Sequence, residues 1–164
     1  MEFSLLADHP AAAETVGRWY WDEWGQEAGE SLDDSIARTA SYTSRDGPPM
    51  IVLAQHGGEW LGAAQLKVRE MDIYPEFEFW LGGVYVPESA RGRGLAAQLV
   101  DEVKSRARLA DIDRLYLQTE DLTGGLYRRG GFQPIEEVAY KGVRVLVMTA
   151  SVAGDGTATP SNRS

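Results

Sequence analysis

Apolar and polar positions change period several times along the chain, and each change marks an element. Phe3 to Ala7 alternates weakly, as a strand does. His9-Pro10-Ala11 then opens a helix expected to run to about Trp24, with Ala12, Val16, Trp19 and Tyr20 at helical spacing and Gly25 to stop it. A second helix is predicted from about Ser31 to Thr43. Ser31 is a cap residue followed three positions later by Asp34, and Leu32, Ile36 and Ala40 share one face. The cluster Asp46-Gly47-Pro48-Pro49 ends that segment.

Met50 to Gln55 and Trp60 to Arg69 are strand-like runs joined by His56-Gly57-Gly58-Glu59, a glycine-bearing hairpin connection. A third run, Phe77 to Val86, contains Gly82-Gly83, and adjacent glycines inside a strand predict a bulge or a close backbone approach. From Leu95 to Ala110 the period becomes helical, with Leu95, Leu99, Val103 and Ala107 in a stripe and Glu102 and Arg106 as an i,i+4 ion pair on the outer face. Arg114 to Thr119 alternates again, Leu122 to Arg129 fits a short helix, and Phe132 to Val138 with Val143 to Thr149 reads as a closing strand pair.

The order β-α-α-β-β-β-α-β-α-β-β places consecutive strands before the long helix and at the end. It therefore predicts an α/β chain of the α+β type, whose mixed, mostly antiparallel central sheet has about seven strands, one parallel β-α-β crossover in its middle and helices on both faces. One domain is expected over 1–150, and the small polar run Ser151 to Ser164 is expected to be a flexible tail. No internal repeat is visible.

Composition narrows the classes. A chain of 164 residues suffices for one core without staples, and the absence of cysteine removes thiol nucleophiles, Cys-ligated zinc and disulfides. The N-terminal residues carry no basic segment and no long apolar run, and nothing approaches a membrane span, so a cytoplasmic protein with no membrane partner is expected. A net charge of -9 argues against a nucleic-acid partner. Acid is concentrated between Asp22 and Asp34, while Arg91, Arg93, Lys104, Arg106, Arg108, Arg128 and Arg129 lie in the second half. That asymmetry suits a cationic substrate beside an anionic cofactor; an acidic surface that keeps the chain soluble accounts for it equally well.

The most informative stretch is Val84-Tyr85-Val86-Pro87-Glu88-Ser89-Ala90-Arg91-Gly92-Arg93-Gly94-Leu95-Ala96: a strand, a turn, and alternating Arg and Gly leading into an amphipathic helix. Glycines let the backbone approach a ligand closely, so amides from about Gly92 to Ala96 can point at a phosphate at the positive end of the helix, and a diphosphate fits. Without Gly-Lys-Ser/Thr this is no nucleoside-triphosphate loop. Gly92 to Ala97 formally matches G-x-G-x-x-A, with Glu120 or Asp121 after the next strand. A dinucleotide fold is nonetheless disfavoured. Five residues including Pro87 separate Val86 from Gly92, and the chain after the crossover, about 45 residues with one short helix, cannot complete a doubly wound sheet.

Arg91-Gly92-Arg93-Gly94-Leu95-Ala96 resembles instead the R/Q-x-x-G-x-G/A signature of the GNAT (GCN5-related N-acetyltransferase) family. Tyr127-Arg128-Arg129-Gly130-Gly131-Phe132 resembles that family's Y-x-x-x-G-F element at the expected distance after the strand Leu115 to Thr119, and the order of elements is similar up to Thr149. The resemblance implies a GNAT-like fold and acetyl-CoA as co-substrate, with no metal needed. It implies that backbone groups of Val84, Tyr85 and Val86 pair with the pantetheine arm like an added strand, and that Arg91, Gly92, Arg93, Gly94, Leu95 and Ala96 hold the pyrophosphate. Thr119 would touch the cofactor, and Tyr127 would place its hydroxyl near the sulfur to protonate the leaving thiolate.

The resemblance also implies transfer to an amine, which must lose a proton first. Some relatives use a Glu on the strand before the signature, which here puts forward Glu78, with Glu76 nearby; backbone carbonyls and ordered water are the alternative. The acceptor site in such folds draws largely on the first two helices and the loop before the signature strand. Trp19-Tyr20-Trp21-Asp22-Glu23-Trp24 offers an aromatic wall with acids, and Trp21, Asp22 and Trp24 are the residues expected to meet a cationic amine, although the same residues also fit a helix packed on the sheet. The expected activity is N-acetylation of a primary amine of a small molecule. Acetylation of a peptide N-terminus or a lysine, and a non-catalytic acyl-CoA-binding module, stay open, and a homodimer is common in folds of this type.

Overall fold

The computed structural model describes residues 1–153. Seven strands form one sheet in the order β1-β2-β3-β4-β5-β7-β6, with β1 Glu2–Leu5, β2 Met50–His56, β3 Glu59–Val68, β4 Phe79–Tyr85, β5 Arg114–Thr119, β6 Gln133–Tyr140 and β7 Val143–Ser151. Neighbours pair antiparallel except β4 with β5, which are parallel and joined by the crossover through α3 (Leu95–Leu109). The expected sheet, strand count and crossover are all present.

The apolar run of β2 is buried on both sides, and this organises the two layers. Met50, Val52 and Ala54 join the cluster under α3, where Leu95, Leu99, Val100, Val103 and Ala107 pack, while Ile51 and Leu53 join Ala13, Val16 and Tyr20 of α1 (Ala13–Tyr20) on the opposite face. Glu102 and Arg106 pair at 3.1 Å on the outside of α3. Helix α2 (Leu32–Ala40) begins with Ser31 accepting the Asp34 N–H at 3.0 Å, the cap that the sequence predicts. It leans on α1, where Ser35 Oγ donates to Gly17 O at 2.8 Å.

Beyond α1, the same face of the sheet is covered by the β3–β4 connection. Tyr74, Phe77 and Tyr116 stack at centroid distances of 4.9 and 4.0 Å, and Met71, Trp80, Val145 and Val147 are buried with them. A gap is left between α1–α2 and this aromatic lid. The short helix α4 (Gly125–Arg129) closes the far side beside β5.

Two expectations need correction. The first helix is not uniform to Trp24: a 3-10 turn (Pro10–Ala12) precedes α1, and a π-helical turn (Trp21–Gly25) follows it, closed by Gln26 N–H to Trp21 O at 2.8 Å. The domain does not end at residue 150. Ser151 completes β7, and buried Val152 donates its N–H to Asp113 O at 2.8 Å; only the part of the expected tail beyond residue 153 lies outside the described residues. Among the described residues no helix is long and apolar enough to cross a membrane.

Candidate active site

β4 and β5 share a single partnered pair, Trp80 with Tyr116, and part beyond it. The cause lies on the other edge of β4. Gln65 pairs with Gly82 and Ala63 with Tyr85, so three steps of β4 answer two of β3, the bulge expected at Gly82-Gly83. Gly83 sits at φ +53 and its carbonyl accepts the Tyr20 hydroxyl at 2.8 Å, which ties the bulge to α1. An added Cβ at Gly83 would stand 2.6 Å from Gln65 Cδ, so the buried Gln65 amide also needs glycine there.

A cavity of about 780 Å³ opens where the strands part. Leu81 to Val84 and Leu117 to Asp121 form its sides, with Tyr127 of α4 between them. Tyr20, Glu23, Trp24 and Glu27 line it from the first helix and the turn after it, Arg38 from α2, Gln65 and Lys67 from β3, Glu70 from the β3–β4 connection, and Tyr140 and Lys141 from the β6–β7 hairpin. The hydroxyl of Tyr127 has no hydrogen-bond partner among the described residues. Burial, and then the charge of Glu70, push this phenol up to about 12. Burial likewise raises Tyr20 well above the usual phenol range. Glu70 Oε1 is 2.9 Å from Lys67 Nζ, and its other oxygen accepts from Gln118. Arg38 forks onto Glu30 at 2.7 and 2.9 Å, which holds the Glu30 carboxyl below its ordinary range.

Between β4 and α3 the chain runs through Pro87, a 3-10 turn (Glu88–Ala90) and Arg91 to the two exposed glycines. Gly92 and Gly94 adopt φ +83 and +75, and an added Cβ at either would meet nothing within 4 Å. The backbone angle, not a neighbour, demands glycine here. Gly94 is the N-cap of α3 and no side chain caps that end, so the first amides of the helix are free to bind an anion. Arg91 is steadied by Nε donating to Val86 O at 2.7 Å and lies 5.7 Å over the Tyr85 ring. Exposed amides, two arginines and a helix N-terminus make a donor set that fits a diphosphate.

The structure brings Val84, Thr119, Tyr127 and Trp24 to the cavity and sets Tyr85, Val86 and Arg91 to Ala96 along the strand and loop above it. Three expected residues are placed elsewhere. Glu78 directly precedes β4, where its carbonyl accepts the Arg69 N–H at 2.7 Å, and its half-exposed carboxylate faces Arg69 at 3.5 Å, outside the cavity lining. Trp21 donates its indole N–H to Glu30 O at 2.8 Å, and Asp22 is exposed and outside the lining. Glu23, Trp24 and Glu27 follow Tyr20 at i+3, i+4 and i+7, on the helical face that lines the cavity, and Trp21 and Asp22 fall off that face. Tyr20, Arg38, Lys67, Glu70 and Gln118 were not anticipated. Gln65, a polar residue inside the apolar run of β3, was the signal available for this cluster.

The sequence matches the model of the acetyltransferase (GNAT) family over residues 13–132. No curated protein matches the chain. Similar solved structures include an aminoglycoside 6'-N-acetyltransferase complexed with coenzyme A (13% identity, TM-score 0.74, covering 99% of this chain and 100% of that one). Others are an aminoglycoside 6'-acetyltransferase type Ii (17%, 0.72, 93% and 97%) and the ribosomal-protein-alanine N-acetyltransferase of Brucella melitensis (20%, 0.74, 92% and 99%). At these identities the likeness concerns the fold.

Proposed function

Since the chain belongs to the acetyltransferase (GNAT) family and is an N-acetyltransferase, we propose that it transfers an acetyl group from acetyl-CoA to a primary amine of a small molecule, in the cytoplasm. The observation that carries this reading is the parting of β4 and β5 beyond Trp80 and Tyr116, directly beneath the glycine loop. An unpaired strand edge accepts an extended amide-bearing arm, and the free first turn of α3 accepts the phosphates at its other end.

Val84, Tyr85 and Val86 would hold the pantetheine through backbone groups, the loop Arg91 to Ala96 the pyrophosphate, and Thr119 the opposite side of the gap. Acetyl-CoA, when bound, supplies the activated thioester. The protein's own share is to orient, to exclude water and to manage protons. Like any phenol Tyr127 keeps its proton at neutral pH; it lines the cavity and its hydroxyl has no hydrogen-bond partner among the described residues, so it is the donor for the departing thiolate. Exposed Glu23, Glu27, Glu120 and Asp121 around the mouth favour a cationic acceptor, and Trp24 adds an aromatic face.

Titration with acetyl-CoA, CoA and NADH by calorimetry tests the reading. Selective binding of the CoA species, followed by free-thiol release only when an amine from a broad panel is also present, is the expected result. Absence of CoA binding overturns the proposal. Acetylation of peptides but not of small amines transfers it to a protein acceptor.

A further inference from the structure

Resting on the reading that this cavity receives an amine, we propose that Glu70 is the carboxylate that receives the acceptor's ammonium group and so determines specificity for amines. Of the carboxylates lining the cavity, Glu23, Glu27, Glu120 and Asp121 are exposed at its mouth, whereas the Glu70 side chain is only 14% exposed. It stands at the point where the strands separate. Gly82 and Gln118 lie two residues beyond the last pair, Trp80 with Tyr116, and Glu70 reaches across the first to bond the second.

The position is built rather than incidental. Lys67 at the end of β3 holds one oxygen at 2.9 Å, and Gln118 of β5 donates to the other. A Cβ on Gly82 would stand 2.9 Å from Glu70 Oε1, so the glycine clears the path by which the side chain crosses β4. The φ of Gly82 lies outside the left-handed region, which leaves close approach as the reason for glycine.

The chemistry selects an ammonium. A carboxylate accepts about four hydrogen bonds. Lys67 and Gln118 take one each, leaving acceptor capacity toward the cavity. An alkylammonium brings three donors and a charge; an alcohol brings one donor and none. Lys67 has Gln65 Oε1 as a second acceptor at 3.4 Å, so it can yield ground when another cation enters. Glu70 and Tyr127 line the same cavity, and the charge of Glu70 contributes, after burial, to raising the Tyr127 phenol.

The test is calorimetric titration of putrescine, spermidine and 1,4-butanediol into the protein with CoA present, for wild type, Glu70→Gln and Gly82→Ala. Wild type should bind both amines and not the diol. Glu70→Gln should weaken amine binding about tenfold or more, the scale of losing a charged partner, with acetyl-CoA affinity changed less than about twofold. Gly82→Ala, which displaces the carboxylate without removing it, should fall between. Amine affinity indifferent to Glu70→Gln, equal binding of the diol, or no amine binding by wild type overturns the assignment. A separate acetyl-CoA titration distinguishes the two failures: if acetyl-CoA binds normally while amines ignore Glu70, this assignment falls and the proposed function stands.

Discussion

On one side of the gap, the end of β4, the glycine loop and the first turn of α3 present backbone amides; on the other, the π-helical turn, α2 and the end of β3 present side chains. The first side is contiguous in sequence, from Val84 to Ala96. The second is assembled from residues as distant as Tyr20, Gln65 and Gln118. A backbone-built site depends on φ angles that few residues can adopt. A side-chain-built site tolerates exchange at each position and tunes what it binds. The first should fail abruptly and for any acceptor, the second gradually and acceptor by acceptor.

The largest effect expected is at the loop. Replacing Gly92 and Gly94 together by Val imposes left-handed angles of +83 and +75 on β-branched residues. At about 1–3 kcal/mol each, the loop takes another course and acetyl-CoA affinity falls by about a hundredfold or more, measured by calorimetry with circular dichroism unchanged. Retained affinity would erase the distinction between the two sides.

Next comes Tyr127→Phe, which should lower kcat about a hundredfold and leave acetyl-CoA affinity unchanged. Its pH signature sharpens the assignment. The folded phenol sits at about 12 against an ordinary 10.0, so the proton-donating form persists through the range where a free phenol ionises. The same shift has a sign for stability. With the folded value above the unfolded one, its contribution is complete below pH 10.0 and lost as pH rises toward about 12, a loss absent from Tyr127→Phe in alkaline thermal melts.

On the side-chain bank, Trp24→Ala should weaken cationic acceptors about two- to fivefold, the scale of an exposed cation–π contact, with no change for acetyl-CoA. The smallest effect is at Arg38→Ala. Its pair with Glu30 steadies the return from the π-helical turn, but the side chains are 46% and 22% exposed, so thermal denaturation should register under about 1 kcal/mol.

How much could be read in advance follows the same division. The strands, the crossover, the Ser31 cap, the bulge and the glycine loop were legible because each rests on local angles or on a period of two or 3.6. The glycine pair in β4 announced its bulge, but not that Tyr20 would bind the Gly83 carbonyl. The acceptor side was less legible. Of the three residues expected there Trp24 reaches the cavity, on the helical face it shares with Tyr20, Glu23 and Glu27, whereas Trp21 and Asp22 fall off that face. Glu78 was put forward as a Glu on the strand before the signature, yet Glu70, eight residues earlier, reaches the gap because its side chain turns back across Gly82 to Gln118 of β5. Nothing in a one-dimensional pattern encodes that return.

The lone bridge between β4 and β5 also governs how the sheet holds together. It divides seven strands into a group of four and a group of three whose mutual hydrogen bonding is nearly absent beyond Trp80 and Tyr116. On the proposed reading, a ligand lying in the gap would supply the missing ladder and couple the two groups into one cooperative unit. Its affinity therefore enters the unfolding free energy as RT ln(1 + [L]/Kd), and amide exchange at Leu81 to Val84 and Leu117 to Thr119 becomes a direct gauge of occupancy.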